Sequence, residues 1–124
     1  MNRGELVRLL VLDAICDDYE NLDQVILRDV ALSGAKCGLT IERAEVVDAL
    51  SGLIRDGLAK AYLLSSTKPW STELQGMPPL DIVEADFKTY FYITEKGMQL
   101  QLADDSSWPF GADGKLLPNW HLEP

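Results

Sequence analysis

Catalysis by a nucleophile needs a serine or cysteine beside a base, and this chain offers one histidine, His121, and two cysteines, Cys16 and Cys37. His121 lies in a terminal stretch rich in proline and glycine, far along the chain from either thiol. The cysteines are about twenty residues apart in helical surroundings, with no Cys-x-x-Cys spacing, which fits free thiols in a reducing cytoplasm. A metal site needs three or four ligands, and acidic side chains would have to make up the number. There is no glycine-rich phosphate loop, and the acids are spread along the chain without a paired arrangement. The expectation is a protein that is not an enzyme, with no catalytic, cofactor-binding or metal-ligating residue assigned and no cofactor.

Surface chemistry is more informative. Twenty Asp and Glu against eleven Lys and Arg give a net charge of −9, a poor balance for gripping phosphates. The long stretch from Ser65 to Asp86 carries Pro69-Trp70 and Met77-Pro78-Pro79-Leu80, and an exposed tryptophan beside prolines is the kind of anchor that protein interfaces use. The competing reading is that Trp70 and Leu80 pin the loop against neighbouring strands.

The elements that must position these groups follow from periodicity. Glu5 to Cys16 is apolar at almost every position, so this helix is covered on more than one side, either at the centre of the domain or by a second copy. A second helix spans Leu22 to Ser33, with Asn21 as its cap and Gly34 as its end. After the connection Lys36-Cys37-Gly38-Leu39, a third helix runs from Thr40, its expected cap, to a stop at Gly57. At 100° per residue its core face is Val46, Val47, Leu50, Leu53 and Ile54, and its outward face is Glu45, Asp48, Gly52 and Arg55. Leu58–Leu64 and Phe87–Ile93 read as strands, the second with Tyr90 and Tyr92 alternating against Phe91 and Ile93, so one pair meets the core. A short helix follows Thr94-Glu95-Lys96-Gly97. Residues 104–124 hold Trp108, Phe110 and Trp120, too many aromatics for a disordered tail, so this extension is expected to pack on the domain of residues 1–103. No apolar run approaches the roughly 18 residues that span a bilayer, and Arg8 and Asp13 interrupt the early apolar stretch, against a signal peptide.

Two motifs, Leu53-Ile54-Arg55-Asp56-Gly57-Leu58 and Tyr90-Phe91-Tyr92-Ile93-Thr94-Glu95-Lys96-Gly97, together with the order of elements, resemble the winged-helix superfamily, in particular MarR-like and PadR-like bacterial regulators. The resemblance implies a mainly α, α+β fold: a winged helix-turn-helix of three helices, then a small two-stranded antiparallel β wing with a long wing loop at residues 65–86. It also implies a third helix, residues 40–58, that enters the major groove of DNA beside the wing. Here the groove side would present Glu45 and Asp48, and Lys60, Lys68 and Lys88 are balanced by Glu73, Asp81, Glu84 and Asp86.

The leading expectation is therefore a cytoplasmic, regulatory module acting through a protein partner or as a homodimer, with Glu45, Asp48, Arg55 and Trp70 as candidate contacts. The alternative is a DNA-binding transcriptional regulator using Arg43, Arg55, Lys60 and Lys88. A third is a small-ligand sensor with the Trp-containing loop and tail as a pocket lid.

Overall fold

A computed structural model of the chain describes residues 1–78, 89–103 and 108–123. The described residues form an α+β fold whose helices pack on a three-stranded antiparallel sheet in which Ala59–Leu64 (β1) lies between Ser71–Glu73 (β2) and Thr89–Ile93 (β3). None of these helices is long and apolar enough to cross a membrane.

Helix α1, Arg3–Ala14, starts where Asn2 accepts the Glu5 amide through Oδ1 at 2.9 Å and donates its own amide to Glu5 Oε1 at 3.5 Å, the reciprocal pair of a capping box. Leu6, Val7, Leu10, Val11 and Leu12 are buried within the chain, so most of this apolar segment lies in the core of the domain, with Leu9 half-buried beside a cleft. Asn21 begins the next helix as expected. Its Oδ1 accepts the amides of Asp23 and Gln24, and its Nδ2 donates to the Thr89 carbonyl at 3.1 Å, which explains why so polar a residue is buried. The first turn, Leu22–Ile26, is wound as a π-helix and passes into α2, Leu27–Lys36.

Helix α3, Arg43–Arg55, is capped by Glu42 rather than by Thr40. Glu42 is extended and its amide donates to Glu45 Oε2 at 2.8 Å, whereas the Thr40 carbonyl accepts from Arg3 of α1. The helix ends at Gly57, whose positive φ of 77° lets Leu58 donate back to Leu53 and Gly57 to Ile54. That reversal sends the chain into β1, Ala59–Leu64.

The expected two-stranded sheet has a third member. Strand β2, Ser71–Glu73, pairs with β1 from within the stretch read as a long loop, and β3, Thr89–Ile93, pairs with β1 on the other side. Three exposed residues, Ser-Thr-Glu, carry no apolar alternation, so β2 left no sequence signal. The far edge of β3 is covered by the segment between α1 and α2: Glu20 exchanges both backbone hydrogen bonds with Phe91, and Ile93 donates to the Ile15 carbonyl. Phe91 and Ile93 point into the core with Ile15, Leu22, Ile26, Leu50 and Leu53.

The last helix, α4, Glu95–Ala103, is seated by both halves of the motif pair singled out above. Thr94 Oγ1 donates to the Gly57 carbonyl at 2.7 Å and accepts the Gly97 amide at 3.1 Å. Lys96 Nζ donates to the Asp56 carbonyl at 3.0 Å. A Cβ at Gly97 would collide with the Leu58 carbonyl oxygen and lie 2.8 Å from Ile93 Cγ1, so only glycine permits this approach. Residues 108–123 run back over the domain: Phe110 is buried beside Trp108, Lys36 Nζ stands 5.5 Å over the Phe110 ring and donates to the Gly114 carbonyl, and the Glu123 amide pairs with the Met1 carbonyl. Both Trp108 and Trp120 rest partly buried against the core.

Candidate functional site

The face of α3 differs from the one that helical phase alone gives. Gly52 is buried, not outward: a Cβ there would lie 3.6 Å from Arg8 Nη1 of α1 and 3.3 Å from Arg55 Nη2. Helix α3 is therefore covered along two lines, and the side toward α1 is built from small residues, Ala49 and Gly52, that a hydrophobic pattern does not register.

Glu45 belongs to that side. Arg3 donates through Nε to Oε1 at 2.6 Å and through Nη2 to Oε2 at 3.1 Å, a two-point grip that fixes α3 against the start of α1. The Arg3 hydrogen bond, with the Glu42 amide second, lowers the carboxyl pKa from 4.5 to about 2, and Arg3 is raised in return. Asp48 stays exposed, at the rim of a cleft lined by Asn2, Glu5 and Arg8. What remains toward solvent on α3 is Ala44, Asp48 and Arg55, with Val47, Ser51 and Ile54 half-buried between them.

Four of the basic residues around α3 and β1, Arg3, Arg8, Arg43 and Lys60, are each turned to a carboxylate of the chain itself. Arg8 Nη2 meets Asp56 Oδ2 at 2.8 Å, which lowers the Asp56 carboxyl pKa, and Arg43 Nη2 meets Asp23 Oδ1 at 3.3 Å. Lys60 Nζ meets Glu73 Oε1 at 2.5 Å, and that hydrogen bond raises the lysine pKa. Arg55, the most open, has its Nε 3.8 Å from Asp56 Oδ1. Arg55, Lys60 and Glu73 share a groove floored by Ile54, Gly57 and Ala59. Thus Arg55 and Lys60 are brought together, while Glu45 and Asp48 line a different cleft, and Trp70 stands 58% exposed at the base of β2. Lys88 lies outside the described residues, as do Leu80 and the acids at 81, 84 and 86.

The thiols are poorly placed for nucleophilic work. Cys16 is half-buried with Sγ donating to the Asp13 carbonyl at 3.0 Å, and burial pushes the pKa of both Cys16 and Cys37 upward. His121 is exposed, its Nδ1 3.3 Å from the Asn119 carbonyl. Among the described residues, no group of three or more His, Cys, Asp and Glu is placed to hold a metal ion.

Sequence reasoning passed over Arg3 and Asp56, which stand beside Glu45 and Arg55, had Glu73 only as one of several acids balancing the wing lysines, and left the register of Tyr90 and Tyr92 open. Strand β3 resolves the latter: Thr89, Phe91 and Ile93 are buried and the tyrosines face outward. Tyr19 joins them, its ring centroid 4.9 Å from Tyr92 and 5.1 Å from Tyr62. Nothing in the acidic run around Tyr19 signals that encounter, which depends on the Glu20–Phe91 pairing. Comparison with known protein families, curated proteins and solved structures returns no match for this chain.

Proposed function

We propose that the chain is a winged-helix interaction module that works by protein contact and catalyses no reaction. The resemblance supplies the fold: three helices lead into an antiparallel sheet, and the two motifs that carry the resemblance dock on each other through Thr94, Lys96 and Gly97. The observation that carries the function is the internal pairing of the cations around α3. Arg3, Arg8, Arg43 and Lys60 are committed to Glu45, Asp56, Asp23 and Glu73, and the most open, Arg55, has Asp56 beside it.

A winged helix that grips DNA must hold cations ready for phosphates and gain by releasing counterions. Here Arg3, Arg8, Arg43 and Lys60 would each first break a contact to a carboxylate, on a molecule that already carries −9. The mixed strip Ala44, Val47, Ser51 and Ile54 on α3 suits a protein surface better than a phosphate backbone. Self-association through α1 is not part of this reading, because the chain itself buries most of that helix's apolar residues.

Fluorescence anisotropy of labelled mixed-sequence DNA fragments, titrated with the full chain at low salt, tests the proposal. The expected result is no binding. Binding that weakens steeply as salt rises would restore the regulator reading with Arg55 and Lys60 at its centre.

A further inference from the structure

All four tyrosines of this chain meet on one side of the sheet. Ala59 and Ala61 of β1 are buried, as are Phe91 and Ile93 of β3, so strand alternation turns Tyr62, Tyr90 and Tyr92 to the outer face. Tyr62 stands opposite Tyr90 across the β1–β3 ladder, and Tyr92 stands opposite Lys60. The pairing of Glu20 with Phe91 then lays Tyr19 beside Tyr92. The Tyr19 ring is edge-on to Tyr62 at 87° and tilted 31° against Tyr92. The solvated face of an antiparallel sheet ordinarily carries polar residues, and four half-buried aromatic rings there are a departure from that pattern.

The charge beside the rings is negative. Asp17 and Asp18, both exposed, directly precede Tyr19, and Glu73 of β2 is the register partner of Tyr62. The facing cation, Lys60, is bound to Glu73. Burial, with Tyr19 and Glu73 adding to it, raises the Tyr62 pKa, so the ring stays a neutral phenol with its π face intact.

We propose that this tyrosine face receives an arginine-bearing extended segment of a partner protein, a specification that rests on the protein-contact reading above. A guanidinium is the group that satisfies both features at once, since it stacks on aromatic faces and forms paired hydrogen bonds to carboxylates. Bases of single-stranded nucleic acid also stack on sheet aromatics, but their phosphates would meet Asp17 and Asp18. A second copy of this chain would bring a further charge of −9.

The test is a titration of the full chain with a fluorescent arginine–glycine repeat peptide and its lysine–glycine counterpart of equal length. The arginine peptide is expected to bind more tightly by at least about threefold, because arginine stacks where lysine remains hydrated. The double variant Tyr19→Leu/Tyr92→Leu, with its far-ultraviolet circular dichroism unchanged, is expected to weaken the arginine peptide about tenfold. Asp29→Asn, an acid on α2, is expected to change it less than about twofold. Should the double variant fail to fold, the tyrosine ring resonances of the unmodified chain give the answer, since they must move on adding the arginine peptide. Equal affinity for the two peptides, undiminished binding by the ring variant, unmoved ring resonances, or preferential binding of an oligothymidine would each overturn the assignment. Failure of the peptides while DNA fragments also fail to bind removes the tyrosine assignment alone. Binding of the DNA fragments removes the protein-contact reading beneath it.

Discussion

Glu45 accepts from the Arg3 guanidinium and from the Glu42 amide, and so stays ionised far below the ordinary range of a glutamate. A folded-state pKa depressed to about 2 from 4.5 makes a contribution to stability that is complete above pH 4.5 and fades as pH falls toward 2. Protonation abolishes the two-point grip that ties α1 to α3. Chemical denaturation of the native chain and of Glu45→Gln across a pH series checks this: the native chain is expected to be the more stable above pH 4.5, with the gap closing on the way to about pH 2. A gap independent of pH would mean that the carboxylate is not what holds the pair. Asn21 shows another way for a single residue to bind distant parts together, because its carbonyl caps a helix while its amide nitrogen reaches β3.

Gly97 decides how α4 sits against the strand leading out of α3. In a free helix, alanine is favoured over glycine by about 1 kcal/mol, so Gly97→Ala would be stabilising if α4 were merely exposed. The approach of the Leu58 carbonyl and Ile93 reverses the sign, and the substitution is expected to cost about 2 kcal/mol. Thermal denaturation followed by circular dichroism should then show a melting temperature lower by about 5–10 °C, and an unchanged or raised value would place α4 elsewhere. The legible part of the fold was of this local kind: the turn at Gly57, the cap at Asn21 and the aromatic and β-branched strand β3 each carry their own chemistry in sequence. Features decided by close approach were not legible. Gly52 lacks the apolar side chain that marks a buried position, β2 is too short and polar to show a period, and the pairing of Arg3 with Glu45 spans 42 residues. The candidate site was legible only as residue types, because the partners that neutralise Glu45 and Lys60 come from other elements.

Across the whole molecule, the segment from 108 to 123 acts as a strap between the end of α2 and the start of α1, through Lys36, Phe110 and Met1. A chain ending at residue 107 loses the aromatic cover of Trp108, Phe110 and Trp120 and is expected to be less stable by about 3 kcal/mol. Urea denaturation measures the loss, and dye binding to newly uncovered apolar surface should rise with it. An undiminished midpoint would mean that the strap adds no stability. The edges of the sheet bear on a different property. Asn21, Glu20 and Ile15 occupy the outward carbonyl of Thr89, both backbone groups of Phe91 and the amide of Ile93, so β3 offers no row of vacant donors along those residues. The opposite border, β2, is three residues long and closes on Glu73. A foreign strand would find little to template on either border, which should let this acidic protein be concentrated without polymerising edge to edge.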